Sequence, residues 1–352
     1  MTLHTQNWSE APLASTPPSF ENLLAVLRRE VPSRPTLFEF FLNRPLYQKV
    51  ARMTVGEAPD ALALANLYIT AYRNVGYDYA TQLIPKFNFS VGEIHRAKTY
   101  SINEGGVISD RASFDAYSWP DPDAANYQIL DDLKEILPEG MKIIVHSPGG
   151  VLENAIRVVG YETLCVLIAL DEQLVFDIFE AIGSRLIRYY ERCLEHETVG
   201  AIIGNDDWGF KSQTMLSPAD MRRFVFPWHK EIVARAHGAG RPAILHSCGC
   251  LFSVMDDIVD DIQYDGKHSY EDTIQPVEQA WEKYHDRIAI MGGMDVDFVC
   301  RHEPEAVYER AKAMLEKSAP SGAYALGTGN SVPEYVPDPQ YFAMIRAALD
   351  MR

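Results

Sequence analysis

An α/β architecture closed into a (β/α)8 TIM barrel is the fold class this sequence predicts, and three observations predict it. Short apolar runs alternate with amphipathic helical patterns; eight such runs occur; and they occupy roughly 300 residues. Strict alternation implies a parallel sheet, because each parallel pair needs a crossover that a helix supplies. Eight units at that length suit closure into a barrel better than an open sheet. A doubly wound sheet is the runner-up, but no Gly-x-Gly-x-x-Gly follows an early strand to support it. One domain is expected over residues 34–352, preceded by an arm and helix over 1–33 and carrying one inserted hairpin.

Residues 1–19 read as an arm ending in Thr16-Pro17-Pro18-Ser19. Ser19 can cap a helix from Phe20 to Arg29, with Phe20, Leu23, Leu24 and Leu27 as its apolar stripe. Arg34 to Phe41 is a buried-looking strand carrying Glu39, and a helix follows from Asp60 to Val75, stopped by Gly76. Thr81 to Phe89 is strand-like, and Lys98 to Asp110, with Glu104-Gly105-Gly106 in its middle, reads as the hairpin. Asp121 to Leu137 is helical, begun by Asp121-Pro122. Met141 to His146 is an apolar strand running into Ser147-Pro148-Gly149-Gly150.

Leu174, Ile178, Ile182, Leu186, Tyr189 and Cys193 fall three and four apart, one face of a long helix. Ala201 to Gly204 is a strand opening into Asn205-Asp206-Asp207, and Ser217 starts a helix that runs to Gly238. The strand Pro242 to His246 precedes a helix from Phe252 to Asp261. Tyr264 to Tyr270 is a more polar strand, then a helix from Pro276 to Tyr284. Ile288 to Met291 is a strand meeting Gly292-Gly293, and Glu303 to Ser318 a helix. Tyr324 to Leu326 is the last strand, and Asp338-Pro339 begins the closing helix.

Bulk composition narrows the function classes. A 47% hydrophobic and 23% charged chain of 352 residues is ordinary for a soluble globular enzyme. The net charge of -17 argues against nucleic acid or an anionic membrane surface as partner, since both need basic patches. Five scattered cysteines are no disulfide framework, so a cytoplasmic location is expected. The first twenty residues do not read as a signal peptide, and no apolar run is long enough to predict a membrane span.

In such barrels the site lies at the C-terminal ends of the strands. There this chain presents Glu39, Lys86 with Asn88, His146, Asn205-Asp206-Asp207, His246 with Cys248, His268 with Glu271-Asp272, Asp295 and Asn330. His246 and Cys248 are two apart on a strand and therefore share a face, an imidazole beside a thiol that can bind zinc. Catalytic zinc takes three protein ligands; Glu271, His268, Cys250 and a mouth aspartate are the candidates for the third. Zinc there would let an incoming thiol react as thiolate. Asp206, Asp207, His268 and Glu271 are candidate catalytic, proton-handling groups. Glu39, His146, Asn205, Asp295 and Asn330 are candidate substrate contacts. Plain structural readings stand beside these: a capping turn for the aspartate pair, a bonded core histidine for His268, turn residues at Asp295 and Asn330.

Leu245-His246-Ser247-Cys248-Gly249, Gly292-Gly293-Met294-Asp295 and Gly327-Thr328-Gly329-Asn330-Ser331-Val332-Pro333-Glu334-Tyr335-Val336-Pro337 resemble the uroporphyrinogen decarboxylase superfamily. Gly204-Asn205-Asp206-Asp207-Trp208-Gly209, with Ser217-Pro218 and Pro227 behind it, fits the same superfamily. The resemblance implies a (β/α)8 barrel, often homodimeric. It also implies either a cofactor-free decarboxylase or a zinc-dependent methyltransferase served by a corrinoid protein. The decarboxylase branch carries arginines where this chain reads Leu37-Phe38-Glu39-Phe40-Phe41, and its final-loop histidine gives way to Asn330 or Ser331. The methyltransferase branch has a His-x-Cys pair of zinc ligands, matched by His246 and Cys248, and a third ligand, a cysteine, that would align near Asn330. The resemblance therefore implies a methyltransferase moving a methyl group between a corrinoid protein and a thiol or similar acceptor, with zinc assistance. The alternatives are a decarboxylase for a smaller, less anionic substrate, and a non-catalytic barrel that binds a corrinoid or tetrapyrrole.

Overall fold

The computed structural model describes residues 7–92 and 102–352. Seven strands are defined among them: β1 Tyr79–Leu83, β2 Lys142–His146, β3 Val199–Asn205, β4 Ala243–His246, β5 Gly266–His268, β6 Ala289–Met291 and β7 Tyr324–Ala325. They lie in one sheet in sequence order. The pairings of β3 with β4, β5 with β6 and β6 with β7 are parallel.

The strand–helix alternation is thus the architecture, but a closed eight-stranded barrel is not. The segment expected as the first strand meets the line of β7 only through isolated parallel bridges, Leu37 with Leu326 and Leu42 with Val332. The reason is where its amides go. Glu39 N–H donates to Tyr79 Oη at 2.7 Å and Leu42 N–H to Tyr47 Oη at 3.0 Å. Tyrosine hydroxyls hold donors that a ladder would need.

The chain divides into two compact units: Met1–Gln82 with Asp131–Ile144 and Asp265–Arg352, and Leu83–Leu130 with Val145–Tyr264. In the first, the helix Phe20–Leu27 buries Phe20, Leu23 and Leu27 of its predicted stripe and leaves Leu24 half-buried. The helix Ala61–Val75 starts at Asp60, whose carboxylate accepts from Ala63 N–H, and ends at Gly76 with φ 95°. The polar strand expected over Tyr264–Tyr270 shrinks to the three residues of β5.

In the second unit every residue of β3 and β4 is buried, as parallel strands covered on both faces require. The helix Glu172–Leu194 buries its whole predicted stripe. Three expected elements are corrected. The helix over Asp121–Leu137 is broken into a 3-10 turn, Pro122–Ala124, and a short helix from Gln128, because Asn126 N–H donates to Pro85 O instead of continuing the turn. The helix from Ser217 passes through a π turn, Met221–Val225, before Phe226–Gly238, since Pro227 has no N–H to close the normal ring. The helix after Phe252 is likewise a 3-10 turn and then a π turn, Asp257–Ile262. Lys98 to Ser101 of the expected hairpin lie outside the described residues, and 102–110 form no strand. No helix among the described residues is long and apolar enough to cross a membrane.

Candidate metal centre

β3 and β4 keep pairing beyond their ends. Asn205 stands opposite His246, and Asp206 N–H then donates to His246 O at 3.0 Å. Trp208 N–H donates to Ser247 Oγ at 3.1 Å, Cys248 N–H to Asp207 Oδ1 at 2.9 Å, and Cys250 N–H to Phe210 O at 2.7 Å. Two glycines allow this approach: Gly249 has φ 87°, and a Cβ there would fall 2.2 Å from the backbone of Gly209.

The paired loops bring three donors together. A carboxylate oxygen of Asp207, a ring nitrogen of His246 and the Cys248 sulfur all lie within 4.8 Å of one another. Cys248 Sγ is 3.9 Å from His246 Nε2, the shared face that alternation along β4 predicts. That spacing suits an ion holding sulfur at about 2.3 Å and nitrogen at about 2.0–2.1 Å. His246 is buried, whereas Asp207 and Cys248 are half-buried and open to a ligand. One thiolate, one imidazole and one carboxylate make a three-ligand set of the kind that leaves catalytic zinc a fourth position.

Asp206 turns away from this cluster. It is fully buried, and accepts from the amides of Leu152 at 2.9 Å and Glu153 at 2.8 Å and from His229 Nε2 at 2.9 Å. Neighbouring residues on an extended chain face opposite ways, which separates Asp206 from Asp207. Asn205 makes a reciprocal pair with Ser147, taking its N–H at 3.2 Å and giving its own amide to Ser147 O at 3.1 Å. His146, the last residue of β2, is held down to about 4 by burial and is neutral at pH 7. Glu153, which sequence reasoning passed over, sits half-buried in the first turn of the helix Val151–Val159. Burial, then the charges of Asp206 and Asp207, push its carboxyl up to about 8. His229 and Tyr264 were also missed. The only trace of His229 in the sequence is its place on the buried stripe with Ile232, Val233 and Ala236.

Lys86 and Asn88 fall in the second unit, while Glu39, His268, Glu271, Asp272, Asp295 and Asn330 belong to the first. His268 is fully buried and gives its Nε2 proton to Thr328 O at 3.0 Å. Glu39, also fully buried, accepts from Thr328 N–H at 2.6 Å and lies 2.8 Å from Thr328 Oγ1. Asp295 caps the helix Val296–Arg301 through Phe298 N–H at 2.9 Å and also accepts from Asp272 N–H at 2.8 Å. Asn330 Oδ1 accepts from Ser331 N–H at 2.7 Å. Glu271 is half-buried in a turn, its carbonyl accepting from Gln275 N–H at 2.8 Å. Of the candidates for a third ligand, the aspartate Asp207 is the one beside His246 and Cys248. Cys250 is buried nearby with its amide committed to Phe210, and His268 and Glu271 take no part in the cluster.

Parallel strands, intervening helices and a donor set just past two strand ends define the class: an α/β protein with three potential ligands beyond the C-terminal ends of β3 and β4. More narrowly, the chain belongs to the uroporphyrinogen decarboxylase (URO-D) family, whose profile matches residues 103–350. No curated protein matches the sequence. Among solved structures, a methyltransferase from Methanosarcina mazei is similar at TM-score 0.73 and 16% identity, over 93% of this chain and 97% of that one. A 3-keto-D-glucoside 4-epimerase from E. coli gives TM-score 0.38 and 15% identity, over 64% and 84%. At 16% identity the first likeness speaks for the fold alone.

Proposed function

We propose that this protein is a methyltransferase that moves a methyl group between a corrinoid carried by a partner protein and a thiol or similar small acceptor. In this reading Asp207, His246 and Cys248 hold a zinc ion. The observation that carries it is the three-donor cluster within 4.8 Å. Its mixed sulfur, nitrogen and oxygen character fits zinc, and Asp207 takes the place of the third ligand that the resemblance seeks near Asn330. Membership of the family and the name of the Methanosarcina mazei structure point the same way.

When bound, the ion would lower the pKa of an acceptor thiol so that it reacts as a thiolate. The chain's own residues do the positioning. Cys248 N–H holds Asp207 Oδ1, and the bonded loops keep the three donors in register. Neutral His146 at the end of β2 brings no positive charge to the strand ends of its unit. The decarboxylase alternative loses ground at Glu39, where a buried carboxyl stands in place of that branch's arginines. The homodimer implied by the resemblance belongs to this proposal too, and light scattering on the purified protein tests it.

Metal analysis tests the central point. One zinc per chain is expected, lost in Asp207→Ala, His246→Ala and Cys248→Ala together with methylation of a thiol from methylcobalamin. Each loss should exceed the roughly 10–100-fold typical of removing an outer-shell partner. A folded, metal-free protein that methylates the thiol equally well with Cys248→Ala would sink the proposal.

A further inference from the structure

His229 touches both residues that flank Asp207 in the chain. Its Nε2 is 2.9 Å from Asp206 Oδ2, and its ring meets the Trp208 indole edge-on with centroids 4.8 Å apart. Its other nitrogen, Nδ1, is 2.7 Å from Tyr264 Oη. His229, Asp206 and Trp208 are all essentially inaccessible to solvent. The proton assignment follows from the partners. Asp206 already accepts the amides of Leu152 and Glu153, so Nε2 carries the proton toward it and Nδ1 accepts from the tyrosine hydroxyl. Burial keeps that hydroxyl protonated, well above the usual tyrosine range.

We propose that His229 is a positioning residue for Asp207: one buried ring clamps the neighbour on each side and so fixes where the carboxylate between them points. The inference rests on the metal-site reading for its consequence, though not for its geometry. The chain is anchored at every other end: Asp206 on the N-terminal amides of the helix Val151–Val159 and on His246 O, and Asp207 Oδ1 on Cys248 N–H. Without the ring, Asp206 and Trp208 keep their other bonds but lose the support they share, and the setting of the Asp207 carboxylate between them loosens. An outer-shell partner of a metal ligand acts in this way, by orienting the ligand before the ion arrives.

Two variants separate the contacts. His229→Phe keeps a ring against Trp208 and removes the bond to Asp206, whereas His229→Gln keeps a donor for Asp206. Hydrogen exchange of the Cys248 amide, which needs no metal, reads the position of Asp207 directly. Exchange about tenfold faster in His229→Phe, restored at least partly in His229→Gln at matched global stability, is the expected result. Zinc competition against a chromophoric chelator should show a parallel drop of roughly 10–100-fold for His229→Phe. Wild-type exchange at Cys248 in His229→Phe overturns the inference. If that variant fails to fold, Tyr264→Phe removes only the outer hydroxyl of the chain: faster exchange supports the clamp and unchanged exchange overturns it. Faster exchange in a protein that binds no zinc at all would leave the clamp standing and remove the proposed function.

Discussion

Thr328 Oγ1 lies 2.8 Å from Glu39 Oε2 and 2.6 Å from Asn330 O. The hydroxyl has one proton for two acceptors, the carboxylate oxygen and the carbonyl. Burial pushes Glu39 up to about 8 from the usual 4.5, against two lowering bonds from Thr328, so Glu39 is mostly protonated at neutral pH. The native state therefore holds a proton between pH 4.5 and 8 that the unfolded chain has released, and stability falls as pH rises through that window. Glu39→Gln mimics the protonated form. Urea denaturation at pH 5 and pH 8 should show the variant keeping stability that the wild type loses, on the order of a few kcal/mol. Equal pH dependence in the two proteins would refute the assignment. This proton was not legible in the sequence. A lone carboxylate in an apolar run reads as a site residue until its neighbours are known.

Among the elements, the helix Glu172–Leu194 was the most legible, because its buried stripe is a local pattern of threes and fours. What it packs against was not. Gly183 faces Trp228 so closely that a Cβ would stand 2.1 Å from the indole. Gly183→Val should therefore cost roughly 1–3 kcal/mol by overpacking. Repeating it on Trp228→Leu should recover most of that loss, and the double-mutant cycle in urea measures the coupling. Additive effects would mean that the contact carries no energy. At two of the failures in this unit the cause was a backbone N–H either missing or spent elsewhere. Pro227 lacks the N–H that an unbroken helix from Ser217 requires, and Asn126 gives its own to Pro85. The proline was visible beforehand; the long-range acceptor was not.

For the whole molecule, a net charge of -17 spread over 352 residues should repel polyanions at physiological salt. The protein is expected in the flow-through of a heparin column at about 0.15 M salt, and retention there would reveal a basic patch that the total conceals. Alternation of apolar runs and helical stripes determined the α/β class and located the cores of most strands. The segment around Glu39 was the exception, because whether an apolar run becomes a ladder depends on which groups take its amides, here the hydroxyls of Tyr79 and Tyr47. The site divides along the same line. That His246 and Cys248 share a face follows from the two-residue period of a strand, and the sequence by itself determined it. That Asp207 joins them while Asp206 turns to His229 depends on the register of β3 against β4 and on the helix behind β3. Only the tertiary structure decided that, because register is set by residues far apart in the chain.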